Sequence, residues 1–576
     1  MSNTRSDQAQ IALSLLYPPE HPRPQAFQHW GKNTLADLGL DILARKLSYA
    51  RKYEAPVKNI LLELCPDPDV IAYRQEVLQD FLDHPSLLAQ CAEILDSLAK
   101  LHDATDRQSA GHAISLHQTL GRMSELNNYV KVVAKLRAIL QAEMPHIRSR
   151  GLQNLEALLA QIESEEIFQS LAENLPEVVA RLSGIPSITI GINLDSEFLP
   201  VEAMLLSVND RPFKDCSLLD RLVSSKKKRR EDQGIGPLHT AGEHYVQGMA
   251  GETVKSGSRR DPLMVPLFRD LYDVIKSAIT PIEMVLRRYA HVQAQRLLPL
   301  ENEIAFYLGA VALIQQLQSH GLPLCRPAIL PTPERAMRLD GMFNLLLVFQ
   351  HANNAEKNEA PIVLNDVEFG RDGRIFILTG PNQGGKTVYT QAIGITQLLF
   401  QAGLFVPARQ AQLSPVDGIY THFASEEEFN SRQGRLSEEA ARLAEIFQTL
   451  TRHSLVLLNE SLASTSPRES FYLSLDIVRA LRLYEARAVF ATHLHELADG
   501  LDKLNAEGQS DSLVVSLVAG VALSGEEPES ENQFVERTYQ IKPGPPRGLS
   551  YAKGIAQRFG ISYQQLAAQR QETPSP

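Results

Sequence analysis

The sequence predicts a multidomain protein that is all-helical in its first part and α/β in its last part. Apolar residues recur at intervals of three and four between residues 33 and 183, which is the periodicity of amphipathic helices. From residue 339 onward, short β-branched runs such as 361–364, 375–378 and 455–458 alternate with helical segments. A chain of 576 residues is too long to fold around a single hydrophobic core. We therefore expect several domains, the last with a mostly parallel, helix-covered sheet.

Between these two parts the chain carries a strand signature and a polar segment. Ile188, Ile190 and Ile192 alternate with polar or small residues, and a second short strand is expected over 203–208. Helical periodicity then returns, with Pro299 expected to kink or break it. The predicted domains are a helical segment over 1–185, a small β-containing insertion over 186–262, returning helices over 263–338, an α/β domain over 339–568 and a disordered tail over 569–576.

Composition excludes several classes of protein. Hydrophobic residues make up 44% and charged residues 22%, which is ordinary for a globular protein, and no apolar run has the length of a membrane span. The four cysteines are far apart, which suits reduced thiols in a cytoplasmic protein without a membrane partner. The net charge of −11 argues against a basic surface coat, although it leaves room for one local basic contact with nucleic acid.

The strongest motif is a glycine-rich loop between a predicted strand at 374–379 and a predicted helix at 388–401. It matches the Walker A pattern GxxxxGK[ST] in full, and its residues are Gly380, Pro381, Asn382, Gln383, Gly384, Gly385, Lys386 and Thr387. Glycines let the backbone N–H groups surround phosphates, and the helix N-terminus attracts the same anion. Lys386 is expected to reach the β- and γ-phosphates and Thr387 to bind Mg²⁺, so the cofactors predicted are ATP and Mg²⁺.

A second buried strand at 455–458 ends in Asn459 and Glu460, which is a Walker B pattern with one change. Glu460 takes the place of the base that orients the attacking water. Asn459 stands where an acidic residue usually holds a Mg²⁺-bound water, and an amide accepts that hydrogen bond without a negative charge. We therefore expect an ATPase, and slow hydrolysis is our hypothesis.

A third strand, at 488–491, ends in Thr492 and His493. In ATPases of the ABC type a histidine at such a strand end senses the γ-phosphate, whereas a lone histidine is more often structural. The neighbouring pair His495 and Glu496 does not begin a zinc-protease HExxH motif, because residue 499 is Asp. The last domain is therefore predicted to be an ABC-type P-loop NTPase domain with Glu460 and His493 as catalytic residues.

Together these motifs resemble the ATPase domain of the MutS DNA mismatch-repair family. The loop at 379–387 is similar to the family's TGPN-x-GGK[ST], and Asn365 with Asp366 looks like its ND pair on the adenine side of the nucleotide. The resemblance runs from about residue 361 to 567. Further similar segments lie at 403–408, 454–460, 464–466, 491–497, 539–544 and 550–556.

The resemblance implies a homodimer through the ATPase domains, with nucleotide between them and helical levers leading to a DNA-binding clamp. Residues 66–75 look like the start of the family's helical core, and 188–193 look like a clamp strand. No counterpart of the mismatch-reading wedge is expected. A basic run falls in the clamp-like insertion, where it is either a DNA contact or a solvated loop: Lys226, Lys227, Lys228, Arg229 and Arg230.

Two functions remain open at this point. The first is a MutS-related ATPase that couples dimer closure to binding of mismatched or structured DNA in repair or recombination. The second is a nucleotide-gated scaffold with little hydrolysis, favoured by Asn459 and by the segment 434–437, where Leu436 replaces a hydroxyl of the family's GRST. A transport ATPase is disfavoured, because the chain lacks an LSGGQ-type segment.

Overall fold

The fold was taken from a computed structural model of the chain. It describes residues 14–21, 23, 29–109, 116–183, 187–194, 196, 200–209, 211–212, 289, 294–353, 362–381, 383–424, 435–462, 465–508, 510–524, 534–546 and 560–566. Outside these ranges lie some of the predicted positions, namely Asn382, the basic run at 226–230, Gly434, Ser464, the segment 550–556 and the tail.

The α-helices of the described residues are numbered in chain order. They are α1 Thr34–Asp37, α2 Leu40–Lys46, α3 Glu54–Leu62, α4 Pro68–Asp83, α5 Pro85–Ser109, α6 Leu116–Glu143, α7 Arg150–Ser164, α8 Glu166–Ser183, α9 Pro299–Ser319, α10 Leu345–Asn353, α11 Lys386–Gln401, α12 Arg435–Thr449, α13 Pro467–Leu483, α14 His495–Asp499 and α15 Leu501–Ala506. The helical periodicity of the first part is confirmed by α1 to α8. Helix α9 begins at Pro299, because proline fits the first helical turn, where its missing N–H has no partner to lose.

The strands are numbered in the same way. They are β1 His29–Trp30, β2 Ser187–Leu194, β3 Pro200–Asn209, β4 Ala328–Ile329, β5 Met337–Met342, β6 Asn365–Phe369, β7 Ile375–Thr379, β8 Gln410–Leu413, β9 Gly418–Phe423, β10 Leu455–Asn459, β11 Arg487–Ala491, β12 Val514–Ser524 and β13 Phe534–Pro543. The strands predicted from the β-branched runs are confirmed at β7, β10 and β11, and β2 and β3 pair antiparallel as a hairpin.

Contacts divide the chain into two compact units. One consists of residues 1–95, 139–155 and 299–576, and the other of residues 96–138 and 156–298. The units cross the domain boundaries drawn from the sequence, which stay a prediction. The first unit contains both sheets of the α/β part, and the second contains the β2–β3 hairpin.

The larger sheet has seven strands in the order β1-β9-β10-β11-β7-β12-β13. Every neighbouring pair is parallel except β12 with β13, which confirms the predicted mostly parallel sheet. Strands β7, β10 and β11 are buried along their whole length, as expected where helices cover both faces. The carboxyl ends of these three strands therefore meet at one edge, where ligands of open α/β sheets bind.

The smaller sheet corrects one sequence prediction. Its order is β4-β8-β5-β6. The run at 361–364 was predicted to be a strand, but residues 362–364 lie outside any strand and β6 begins at Asn365. The reason is pairing, because Asn365 lies opposite Met342, the last residue of β5.

The amino-terminal segment contributes to the larger sheet, which the sequence did not predict. His29 and Trp30 form β1 and pair with β9 at the sheet edge. Helix α1 contacts α11, the helix after the glycine-rich loop, since Gln391 Nε2 donates to the carbonyl oxygen of Asp37 at 2.6 Å. Thr421 of β9 donates to the Asp37 carboxylate. Residues more than 350 positions away in sequence therefore brace the P-loop helix.

Candidate functional site

The glycine-rich loop joins β7 to α11, as predicted. Gly380 and Gly385 have φ values of 143° and 91°, which favour glycine, and Gln383 has a φ of 59°. A Cβ on Gly380 would lie 2.6 Å from the Cβ of Ala519 on β12, so a side chain there requires movement of the neighbouring strand. The loop therefore depends on glycine both for its turns and for its packing against β12.

Lys386 begins α11 and is buried, with 3% of its surface exposed. Its Nζ donates to the carbonyl oxygens of Gly380 and Pro381 at 3.0 and 3.1 Å, and lies 3.9 Å from Oε1 of Glu460. Burial lowers the pKa of Lys386 to about 8, and the nearby Glu460 carboxylate opposes that shift. The ammonium group is thus held inside the loop, where an anion is a better partner than two carbonyl groups.

The predicted Mg²⁺ ligands are brought together. Thr387 Oγ1 donates to Asn459 Oδ1 at 3.1 Å, across from α11 to the end of β10. A hydroxyl and an amide oxygen are both hard ligands, which suit Mg²⁺ when phosphate and water complete its coordination. The donor set fits Mg²⁺, although it brings no negative charge of its own.

Glu460 and His493 also meet, because β10 and β11 are neighbours in the sheet. His493 Nε2 lies 2.8 Å from Glu460 Oε1, within hydrogen-bonding distance. Glu460 has a φ of 54°, which is unusual for a residue with a side chain, and its backbone N–H donates to the carbonyl oxygen of Ala491 at 2.8 Å. Glu460 is therefore held twice: its backbone by Ala491, the last residue of β11, and its carboxylate by His493, which follows that strand.

Both ends of the Asn365 amide are occupied. Its Nδ2 donates to the carbonyl oxygen of Tyr539 at 3.0 Å, and its Oδ1 accepts from the N–H of Ile541 at 2.7 Å. Tyr539 has a φ of 54°, so this bracket holds a strained residue of β13. The geometry gives Asn365 the task of placing Tyr539, while its direct contact with a nucleotide stays a prediction.

Comparison with known protein families identifies two matching regions. The model of the MutS2 N-terminal domain matches residues 66–320, and the model of MutS domain V matches residues 376–564, which includes Lys386, Glu460 and His493. The chain belongs to the MutS family. Domain V is the ATPase domain of MutS family proteins, so an ATPase domain occupies the carboxyl-terminal part of this member.

Individual relatives align over most of the chain. The DNA mismatch repair protein MutS of a Synechococcus species is 26% identical over 471 residues, which cover 77% of this chain and 49% of that protein. The Endonuclease MutS2 of Streptococcus uberis is 30% identical over 425 residues, covering 72% and 50%. That of Thermomicrobium roseum is 24% identical over 482 residues, covering 79% and 58%. The chain thus spans about half the length of these MutS relatives.

The ATPase domain of this MutS family member contains a cavity of about 360 Å³ beside the glycine-rich loop. That volume is within the range of small-molecule sites. Glu460 and the loop residues from Gln383 to Thr387 line the cavity. Phe343, His351 and Tyr539 also line it, and none of them is among the predicted site residues. Of these three, only Tyr539 had a signal in the sequence, since it lies in the segment 539–544, which is similar to a segment of the family.

Two further positions of the MutS-like segments, Leu436 and Ser466, lie at the starts of helices. Leu436, in the first turn of α12, is partly buried against the hydrophobic core of the sheet. Ser466 caps α13, with its hydroxyl accepting from the N–H of Glu469 at 3.4 Å. The described helices include none that is both long and apolar enough to cross a bilayer.

Proposed function

We propose that this MutS family member binds ATP with Mg²⁺ and hydrolyses it, and that closure of a homodimer around the nucleotide is coupled to DNA binding. The proposal rests on one observation: Lys386 and Glu460 line the cavity at the carboxyl edge of the sheet, and His493 lies 2.8 Å from the Glu460 carboxylate. A lysine that binds the phosphates and a side chain that positions the attacking water are groups on which phosphoryl transfer at a P-loop depends.

In this proposal each residue has a separate task. The backbone N–H groups of the loop and Lys386 bind the phosphates, exchanging the present carbonyl contacts of Lys386 for stronger ones with an anion. Thr387 and Asn459 hold Mg²⁺, which supplies charge neutralisation of the phosphates when bound. Glu460 orients the attacking water and accepts its proton, and His493 fixes the carboxylate and faces the γ-phosphate.

Coupling to DNA is the finer part of the proposal. ATP shifts a dimer between open and closed forms only to the extent that it binds one form more tightly. The helices of residues 1–185 and 263–338 are proposed as the levers that carry this difference to a clamp in the region 186–262. Part of that region is the β2–β3 hairpin, and the basic run at 226–230 is the proposed DNA contact. Repair or recombination in the cytoplasm is the setting we propose.

The test is a set of binding and turnover measurements on the full chain. Lys386→Met is expected to weaken ATP binding by about 10- to 150-fold, because a hydrogen bond to a charged group is lost. Duplex, mismatched and branched DNA are then titrated with ADP and with ATP. Replacing the five residues Lys226, Lys227, Lys228, Arg229 and Arg230 by Gln is expected to reduce DNA affinity and its salt dependence. Wild-type ATP binding in Lys386→Met contradicts the proposal.

A nucleotide-gated scaffold with little hydrolysis is the second candidate. Two observations favour it: Asn459 brings no charge to the Mg²⁺ site, and Leu436 packs inward where the family presents a hydroxyl toward the partner's nucleotide. Steady-state ATPase with and without DNA separates the two functions. Because some relatives are named Endonuclease MutS2, a plasmid-nicking assay is the third measurement of the same experiment.

A further inference from the structure

The turn that carries Glu460 is strained at two positions. Glu460 has a φ of 54° and Leu462 a φ of 64°, although neither is a glycine. Side chains with a Cβ disfavour this region, and such residues persist only where their surroundings hold them. The backbone bond from Glu460 to Ala491 of β11 supports one side of the turn. The opposite side of this turn also needs a contact that holds its backbone in place.

Ser461 lies between the two strained residues and supplies the contact on the second side of the turn. Its side chain is buried, and its Oγ donates to the carbonyl oxygen of His422 at 3.0 Å. The same Oγ lies 2.8 Å from Nδ1 of the His422 ring. A serine hydroxyl has a single hydrogen to donate, and it donates that hydrogen to the carbonyl oxygen. In the second hydrogen bond the donor is therefore Nδ1 of the ring. The imidazole is therefore the Nδ1–H tautomer.

His422 belongs to β9, the neighbour of β10 on the side away from β11. In the register of the sheet, Leu458 lies opposite His422 and Asn459 opposite Phe423. The ring is 2% exposed, and its Nε2 has no hydrogen-bond partner within the part of the chain that the structure describes. Burial and the charge of Arg442 lower the pKa of His422 to about 4, and nearby backbone groups of His422 and Glu439 only partly oppose that shift, so the ring is neutral.

We propose that His422 is a positioning residue for hydrolysis, which acts through Ser461 to fix the carboxylate of Glu460 between Lys386 and His493. Glu460 is then held by both neighbouring strands, β11 through Ala491 and His493, and β9 through His422. This inference rests on the proposed function, because it assumes that Glu460 acts on the attacking water. It goes beyond the proposed function by naming two residues, His422 and Ser461, that are not among those lining the cavity.

A buried polar pair also stabilises a fold without affecting chemistry, so the test must separate the two roles. A structural role predicts a lower free energy of unfolding with normal turnover. A positioning role predicts slower hydrolysis with normal ATP affinity, since a misplaced carboxylate fails in the transition state and not in the ground state. Single-turnover hydrolysis and ATP Kd, measured on the same preparations, therefore discriminate between them.

The matched pair is Ser461→Thr and Ser461→Val, which differ by one hydroxyl group at nearly equal volume. Ser461→Thr is expected to keep most of the hydrolysis rate, and Ser461→Val to lose about 10- to 100-fold, with ATP Kd nearly unchanged in both. At the other end, His422→Phe removes the ring donor and is expected to lose as much. His422→Asn, whose amide N–H replaces Nδ1–H, is expected to recover most of the rate.

Four outcomes are decisive. Equal hydrolysis rates in Ser461→Thr and Ser461→Val overturn the inference, and so does a loss of stability in His422→Phe without a loss of rate. Should His422→Phe fail to fold, the serine pair decides alone. Glu460→Gln serves as the control: if the wild type hydrolyses ATP and Glu460→Gln does not, the proposed function stands whatever the serine pair shows. A wild type without hydrolysis overturns both proposals.

Discussion

Glu460 and His493 are joined by a hydrogen bond of 2.8 Å, although they are 33 positions apart in sequence. Their strands β10 and β11 are parallel neighbours in register from Leu455 and Arg487 to Asn459 and Ala491. Each residue follows its strand, so the sheet itself places the carboxylate beside the imidazole.

Glu460→Gln is expected to lower kcat by about 10²- to 10⁴-fold, because the amide cannot accept the proton of the attacking water. ATP Kd should change little, since the amide has the same shape as the carboxylate. The measurement is single-turnover hydrolysis beside equilibrium binding. Glu496→Gln, at an exposed carboxylate of α14, is the control and should leave both values unchanged. Equal rates for the two variants contradict the role of Glu460.

Asn459→Asp is expected to tighten Mg²⁺ and to raise kcat by about 5- to 10-fold. The added charge strengthens the hydrogen bond to a metal-bound water, and charge-assisted bonds are about twice as strong as neutral ones. Titration of Mg²⁺ at saturating ATP measures the effect. Asn459→Ala, which removes the oxygen that Thr387 contacts, should shift the Mg²⁺ midpoint in the opposite direction. No shift in Asn459→Asp would show that this position does not serve the metal.

ATP affinity is expected to fall as the pH rises through about 8, which is the pKa of the buried Lys386. Above that pH the free protein has lost the proton, and an anionic ligand must restore it, so binding takes up a proton. Calorimetry in two buffers with different ionisation enthalpies measures this proton directly at pH 9. Lys386→Met has no such group and should show no proton uptake. Equal heats for the wild type in both buffers contradict the prediction.

Asn365→Ala is expected to raise the ATP Kd by about 5- to 10-fold, which corresponds to one aromatic contact of about 1 kcal/mol. Without its amide, Tyr539 loses the bond that holds its strained backbone, and the ring no longer lines the cavity. Tyr539→Ala should give the same loss, and the double variant no further loss. Gln540→Ala is the control, because that amide contacts Leu364 instead. Additive losses would separate the two residues.

Folding stability is expected to decrease as the pH rises from about 5 to 8 because of Glu303. Its carboxylate accepts from Ser14 Oγ and from the N–H of Leu15, and burial raises its pKa to about 7. Between the two pKa values, the native state therefore keeps a proton that the unfolded state has lost. The resulting stabilisation is fully present below the pKa of the unfolded state and disappears as the pH rises through the pKa of the folded state. The change is on the order of 3 kcal/mol, from about 1.4 kcal/mol per pKa unit.

Denaturant unfolding of wild type and Glu303→Gln across this pH range tests the point. The variant should show a flatter dependence of the free energy of unfolding on pH, since glutamine does not titrate. Glu445→Gln, at an exposed carboxylate of α12, provides the comparison and should keep the wild-type slope. Parallel curves for the wild type and Glu303→Gln would assign the slope to other groups.

The sequence by itself determined the part of the site that depends on local pattern. The glycine-rich loop, Glu460 and His493 were found because each follows a buried strand, and parallel strands bring their carboxyl ends to one edge. Thr387 and Asn459 were paired on the same reasoning, and their hydrogen bond agrees with it. The resemblance to the family was recognised in these segments because their motifs are local sequence patterns as well.

Only the tertiary structure decided the contacts between side chains and distant backbone. Asn365 reaches β13 across 174 positions, and His422 holds Ser461 across 39, without any repeating pattern that links the two ends. Strand β1 was missed because two residues are too few to show an alternation. Periodicity reports which face of an element is buried, whereas the identity of the neighbour depends on strand order. That order is settled by the packing of the whole chain.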